Sequence, residues 1–328
     1  MLELRGISKT FDAGTPMEVK VMEGFNIQIH EGDFITVIGG NGSGKSTMMN
    51  LISGAKSPDK GLVLLNEYNV SNMSENKRAP YFGRVFQDPM MGTASDMTIL
   101  ENLTLAYGKG RARSPFRWST KAKDKEFFIE QLQTLGLGLE NRLNDKVGLL
   151  SGGQRQALTL LMATIRKQPS LRVIKRDYVR FTMSDKAKAK EEMLKEISLF
   201  KNEYKEEKKT LGHKEAKANF EKKIAKYDLT KQILLLDEHT AALDPKTAAK
   251  VLELTDKIVK ENHLTTLMIT HNMKDAIKYG NRLIMMGSGK IIVDVKGEEK
   301  EKLTVNDLLN LFNKANTGDV LPDSSILG

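Results

Sequence analysis

Short apolar runs separated by polar turns recur along the chain, and their lengths predict an α/β fold. Residues 34–38 are apolar and β-branched, the length of a buried strand, and residues 48–53 behind them read as a helix stopped at Gly54. Residues 62–65, 85–86, 233–236 and 264–270 repeat the strand pattern. Residues 2–8 and 25–29, around Lys20 and Val21, alternate as in a small antiparallel sheet. Helical spacing appears at 98–103, 127–135 and 157–165. Runs at 283–286 and 290–293 flank Gly287-Ser288-Gly289 and predict a hairpin, and Thr304 with Asp307 three residues later predicts a capped final helix. Residues 315–328 carry no such pattern and are expected to be a flexible tail.

Two stretches stand apart. Residues 108–125 are basic, hold the sole tryptophan, Trp118, and are expected to form a surface loop. Residues 184–209 place Met193, Leu194, Ile197, Phe200 and Tyr204 on one helical stripe. Gly212 breaks that run, and Phe220, Ile224 and Tyr227 resume it at i, i+4, i+7, so an antiparallel helical hairpin is expected within about 170–230.

Composition narrows the class. With 328 residues, 40% hydrophobic and 28% charged, the chain is an ordinary globular protein. It has no cysteine, which excludes disulfides, thiolate zinc and thiol catalysis. No apolar run approaches the ~20 residues of a membrane span, and the start lacks a signal-peptide pattern, so a cytosolic protein is expected. The net charge of +9 could suggest nucleic acid or an anionic surface, but residues 172–231 hold 18 Lys and Arg against 11 Asp and Glu, and the remainder is close to neutral.

The candidate chemistry sits at strand ends. Gly39-Gly40-Asn41-Gly42-Ser43-Gly44-Lys45-Ser46-Thr47 fits G-x-x-x-x-G-K-[ST], the phosphate-binding loop, in the strand–turn–helix context the motif requires. Its backbone N–H groups would cradle phosphate oxygens, with Lys45 on the β- and γ-phosphates and Ser46 on Mg²⁺. Leu150-Ser151-Gly152-Gly153-Gln154 opens a second helix as a further anion site. The run 233–236 ends in Asp237-Glu238, where an α/β sheet presents a metal-binding carboxylate, and 264–270 ends at His271. Phe11, in the exposed-looking stretch 9–14, could stack on a purine or fold onto the core.

These motifs, in this order, resemble the nucleotide-binding subunit of an ATP-binding-cassette (ABC) transporter: the loop at 39–47, Gln87, the signature 150–154, Asp237-Glu238, Ala242-Leu243-Asp244 and His271. The resemblance covers nearly the whole chain except the insert at about 170–230. It implies a P-loop NTPase core of ABC type, one domain over 1–314, with an antiparallel β subdomain, a helical subdomain at about 88–168 and the inserted hairpin. It implies ATP and Mg²⁺, with Ser46, Gln87 and Asp237 toward the metal, Glu238 polarising the attacking water, and Gln87 and His271 sensing or holding the γ-phosphate. Phe11 takes the position of the adenine-stacking aromatic. Ser151, Gly152, Gly153 and Gln154 belong to the signature that completes a site across a dimer, with Ser151 and Gly153 toward the γ-phosphate of ATP on the opposite subunit, and Asp244 belongs to the D-loop.

The implied partners are a second cassette subunit, expected as a homodimer, transmembrane permease subunits and an external substrate-binding lipoprotein, with no nucleic acid. Thr98, Glu101 and Asn102 resemble the region offered to a permease. The expected place is the cytoplasmic face of the membrane, in import of a small organic solute such as an amino acid. An export or lipoprotein-release motor, or a soluble ABC ATPase acting on nucleic acid, is the alternative. Two departures stand out: Gly40 where many members have Pro, expected to loosen the turn, and His239 where Pro usually follows the acid pair. His239 is expected to face solvent, or else to give the activity a pH dependence.

Overall fold

A computed structural model describes residues 1–66, 68–108, 122–165, 186–224 and 233–316. Trp118, the remainder of the expected surface loop up to residue 121, the hairpin flanks 170–185 and 225–230 with Tyr227, and the tail from 317 onward lie outside the described residues. The chain divides into two compact units, residues 1–166 with 232–328, and residues 167–231.

In the first unit the described strands form two sheets. Strands β1 (Leu2–Phe11), β2 (Val19–Ile29), β4 (Lys60–Leu65) and β5 (Tyr68–Asn69) make an antiparallel sheet in the order β2-β1-β4-β5. The second sheet has the order β10-β9-β3-β8-β7-β6, from β3 (Phe34–Gly39), β6 (Phe82–Val85), β7 (Ile233–Asp237), β8 (Thr265–Ile269), β9 (Arg282–Gly287) and β10 (Lys290–Lys296). Its strands β6, β7, β8, β3 and β9 run parallel, and β10 returns antiparallel on β9. The parallel strands are short, and β3, β7 and β8 are buried along nearly their whole length, as coverage on both faces requires.

Eleven helices are described, nine in this unit: α1 (Lys45–Ser53), α2 (Glu75–Arg78), α3 (Ile99–Tyr107), α4 (Ala122–Gln133), α5 (Gly152–Thr164), α8 (Pro245–Glu261), α9 (Met273–Lys278), α10 (Glu298–Glu301) and α11 (Val305–Asn316). One core joins α3, α4 and α5 to the sheet through Leu103, Phe128, Leu158, Leu161, Val85 and Leu236. A second core packs Leu308 of α11 against Ile38, Ala276 and Met285.

Several elements differ from the pattern reading. Strand β1 runs on to Phe11, so Phe11 pairs with Val19 rather than sitting in a turn. Bulges after Leu4, Ile7 and Lys9 break the alternation that would have revealed the longer strand. Helix α5 begins at Gly152, and residues 122–125 are helical rather than loop. Thr304 and Asp307 form the expected reciprocal cap, at 2.8 and 3.2 Å. Asn102 is turned inward, its amide bonded to Ala94, so it is not part of an exposed permease-facing patch, whereas Glu101 is exposed.

The second unit is a helical hairpin of α6 (Lys186–Thr210) and α7 (His213–Ile224), turned at Gly212 with φ +84. Met193, Ile197 and Ala216 are buried in its seam, while Leu194 lies off it and is exposed. Tyr204 Oη and His213 Nδ1 are 2.9 Å apart, and Lys223 bridges Glu203 and Glu207 at 2.9 and 3.0 Å.

Helix α1 is held at its C-terminal end. Gly54 adopts φ +85 and donates its N–H to the Asn50 carbonyl at 3.1 Å. Buried Arg78 donates to the carbonyls of Leu51 (2.6 Å), Ile52 (2.9 Å), Ser71 (2.9 Å) and Met73 (3.0 Å). Burial pulls its pKa down to about 10, so it remains a cation at neutral pH, placed where a helix terminus favours one. Arg78→Met should leave four carbonyls without their donor and cost on the order of 3 kcal/mol, read by chemical denaturation. Unchanged stability would remove Arg78 from this role.

Candidate nucleotide site

Parallel register gathers the strand ends. Val37 of β3 and Asp237 of β7 both pair with Ile269 of β8, so the end of β3, Asp237 and the residues after β8 lie side by side. Val85 of β6 pairs with Leu236, which carries Phe86 and Gln87 on toward the level of Asp237 and Glu238. Gln87 itself is exposed.

The loop after β3 depends on glycine. Gly39 (φ +149) abuts the Met286 carbonyl, where a Cβ would collide, and Gly42 (φ +77) and Gly44 (φ +97) occupy left-handed backbone. Gly44 is the N-cap of α1 and supplies no side chain, so the first amides of α1 keep their free donors and the helix keeps its positive end bare. Ser46 is exposed in that first turn and Thr47 half-buried. The Lys45 ammonium is buried and donates to the carbonyls of Gly39 and Gly40, each at 2.9 Å, and to Ser43 Oγ at 3.4 Å. Burial lowers its pKa, and the Glu238 and Asp237 carboxylates pull the other way.

Gly40 is approached from behind by the final helix. The Phe312 ring of α11 lies 3.4 Å from the position its Cβ would take, so the final helix backs the loop.

Asp237 and Glu238 are held differently. Asp237 Oδ2 receives Arg84 Nη2 at 3.1 Å. Glu238 sits at φ +48, uncommon for a residue with a side chain, while its N–H extends the sheet to the Ile269 carbonyl at 3.1 Å. Its Oε1 lies 2.5 Å from His271 Nε2, with the histidine half-exposed and the glutamate largely covered. The structure therefore joins Lys45, Asp237, Glu238 and His271 at one edge.

The remaining candidates lie around that edge. Phe11 is half-buried at the end of β1, with Lys9 Nζ 5.6 Å and Lys56 Nζ 5.9 Å from its ring centre. Ser151 caps α5 reciprocally: its Oγ accepts from Gln154 N at 3.3 Å and its N–H donates to Gln154 Oε1 at 3.2 Å. Gly152 and Gly153 lie against Leu243 and Thr247, and a Cβ on Gly153 would collide with the Thr247 methyl. Asp244 caps α8 by accepting from Thr247 N at 3.1 Å, and hydrogen bonding from the Thr247 side chain and then its backbone holds the carboxyl below the usual range, with Pro245 in the first helical turn. Signature and D-loop thus pack on each other within one chain.

Sequence reasoning missed three contributors. Arg84 pairs with Asp237, Gln156 Nε2 donates to the Phe86 carbonyl at 3.2 Å, and Arg155 Nη2 donates to the Val147 and Gly148 carbonyls at 3.2 and 3.1 Å. Gln156 and Arg155 stand directly after the signature, which was a usable signal. Arg84 had none, since its partner is 153 residues away.

His239 overturns both of its expectations. It is 2% exposed, with Nε2 3.1 Å from Thr255 Oγ1, so it does not face solvent. Desolvation pushes its pKa down to about 4, so it stays neutral wherever a pH-dependent activity would be measured near neutrality.

A glycine-rich loop feeding a bare helix N-terminus, with an acid pair at a neighbouring strand end, defines a P-loop ATPase of α/β class. The family profile described as ABC transporter matches residues 22–173. The chain is 36% identical over 316 residues to the tyrosine transport ATP-binding protein of Clostridioides difficile, covering 96% of this chain and 100% of that protein. It is 26% identical to the xylose/arabinose import ATP-binding protein XylG of Sulfolobus acidocaldarius over 97% and 98% of the two chains. The solved dimeric cassette MJ0796 shares the fold at TM-score 0.59 and 23% identity, over 90% of this chain and 98% of that one. The chain belongs to the family of ABC transporter ATP-binding subunits, and it is an ATPase.

Acid should expose His239. Its folded pKa of about 4 lies below the ordinary 6.5, so the unfolded chain takes up its proton first as pH falls. Stability should drop between pH 6.5 and 4 by up to about 3 kcal/mol from this group. Denaturant titrations of wild type and His239→Gln check it: the two should diverge across that window, and parallel curves would deny the burial effect.

Proposed function

We propose that this chain is the ATP-hydrolysing motor of an importer for a small organic solute of the amino-acid class. The observation that carries the enzymatic part is the Glu238–His271 contact of 2.5 Å, one residue beyond Asp237 and on the same edge as Lys45.

In this reading Lys45 exchanges loop carbonyls for the β- and γ-phosphate oxygens of ATP, and the free amides of the α1 N-terminus meet the remaining oxygens. Phe11 stacks on adenine from the end of β1. Among the described residues no group of three or more His, Asp or Glu could hold a metal by itself. That fits Mg²⁺, which takes most ligands from phosphate and water and needs few hard oxygens from protein. The exposed Ser46 hydroxyl, Asp237 and the exposed Gln87 amide would supply those oxygens. When bound, Mg²⁺ offsets charge on the phosphates. Glu238 accepts the proton of the attacking water, while His271 fixes the direction of Glu238 and reaches the γ-phosphate. Ser151, Gly152, Gly153 and Gln154 then serve the ATP of an identical partner subunit, with Asp244 beside that interface. ATP closes the dimer, and hydrolysis reopens it.

The importer part is supported by the relatives named for tyrosine transport and for xylose/arabinose import. No described helix is long and apolar enough to cross a membrane, so the reading places the chain on the cytoplasmic face through permease subunits, served by an external binding lipoprotein.

Glu238→Gln should lower turnover at least 100-fold, about 2.7 kcal/mol of barrier, and trap an ATP-bound dimer visible by size-exclusion chromatography. Turnover at the wild-type rate would remove Glu238 from its role. Affinity purification from detergent-solubilised membranes, followed by mass spectrometry, should recover a polytopic permease and a binding lipoprotein. Recovery with ribosomes or DNA from the soluble fraction would sink the transporter assignment.

A further inference from the structure

We infer that Arg84 is a positioning residue that orients Asp237 and ties its orientation to the turn carrying Gln87. The inference rests on the reading in which Asp237 supports the metal of the nucleotide site.

Arg84 lies on β6 at the sheet edge. Alternation sends neighbouring side-chain positions to opposite faces. Gly83 backs directly onto the Ala163 carbonyl of α5, leaving no room for a side chain, and Arg84 projects to the other face. There it meets Asp237, the far end of α1 and the ring that precedes Gln87. Nη2 donates to Asp237 Oδ2 at 3.1 Å, Nη1 donates to Ser53 Oγ at the end of α1 at 3.4 Å, and the guanidinium lies 4.7 Å from the centre of the Phe86 ring.

The pair is mostly shielded from water, with Arg84 14% and Asp237 17% exposed, so solvent screens it less than a rim pair. One carboxylate oxygen is engaged, which fixes the side-chain torsions of Asp237 and directs its other oxygen. A planar guanidinium can stack and donate at once, and a lysine cannot reproduce both. The stack carries the connection onward. Phe86 immediately precedes Gln87, and its carbonyl accepts from Gln156 of the signature helix. Displacing that turn or that helix moves the ring against which Arg84 is seated, and Arg84 carries the change to Asp237.

The test uses the full-length protein with Arg84→Met, Arg84→Lys and Phe86→Leu. Binding of a fluorescent ATP analogue is titrated with Mg²⁺ and repeated in EDTA. Groups that orient a metal ligand typically change metal affinity by about 10- to 100-fold. Arg84→Met should therefore raise the half-saturating Mg²⁺ concentration about 10-fold, while binding in EDTA stays within about twofold. Arg84→Lys, which keeps the charge and decides the matter should the methionine variant not fold, should shift by a smaller factor in the same direction. Phe86→Leu, which keeps the ion pair, should also raise it. Unchanged Mg²⁺ dependence in the arginine variants overturns the inference, as does an equal loss in EDTA, which would mark a general structural role. An unshifted Phe86→Leu overturns the tie to the Gln87 turn. Wild-type binding indifferent to Mg²⁺ overturns the metal reading itself, a result distinct from the others.

Discussion

A helix that is to receive phosphate must leave its first amides unpaired, and much of the nucleotide site answers to that constraint. Other helices take N-terminal caps from side chains at their starts: Thr98 for α3, Ser151 for α5, Asp244 for α8, Asn272 for α9 and Thr304 for α11. Helix α1 starts at a glycine and has none. Its stabilisation has to come from elsewhere, and it comes from behind and below. Arg78 and Gly54 satisfy the far end, Lys45 holds the loop carbonyls, the Met286 backbone lies against Gly39, and Phe312 lies against Gly40. The front of the loop alone is left to the ligand. A positive helix end without a cap is a cost to the isolated fold and a gain once an anion arrives.

How much of this could be read from the sequence follows from how local each interaction is. The phosphate loop, the signature cap, the Thr304–Asp307 pair and the Gly212 turn are all made within a few residues, so spacing reveals them. Strand ends bearing Asp237, Glu238 and His271 were legible because buried parallel strands are short and rich in apolar residues. Phe11 was misplaced because bulges shift the period of β1. His239 was misjudged because its burial is decided by Thr255, on a helix that the pattern reading did not place, although Asp244-Pro245 marks its start. Arg84 meets a partner 153 residues away, and no local rule encodes such a pair; Gln156, whose partner is 70 residues away, was marked only by its place directly after the signature.

The departures from the family pattern also take on physical sense. A histidine after the acid pair, buried and bonded to Thr255, fills the site as a neutral side chain with a satisfied nitrogen. A glycine second in the phosphate loop leaves space that the Phe312 ring approaches. In both places the altered residue is matched by a contact from another element, so neither change weakens the acid pair or bares the back of the loop.

The two carboxylates at the end of β7 adjoin in sequence but are constrained by different means, and the difference suits different work. Asp237 is fixed by an ion pair to Arg84, which takes one oxygen. Glu238 is fixed by its backbone: a left-handed φ leaves few neighbouring conformations, and the hydrogen bond to Ile269 keeps it there. Among the described residues no arginine pairs with Glu238; its side-chain partner is a half-exposed histidine that a ligand can reach, with the Lys45 cation on the same edge. In the proposed reaction, a carboxylate held by a fixed cation is suited to keeping its place, whereas one held by its backbone beside a reachable imidazole is suited to facing the attacking water. In that proposed reaction, a single peptide bond separates the group that would hold the metal, Asp237, from the group that would act on the water, Glu238.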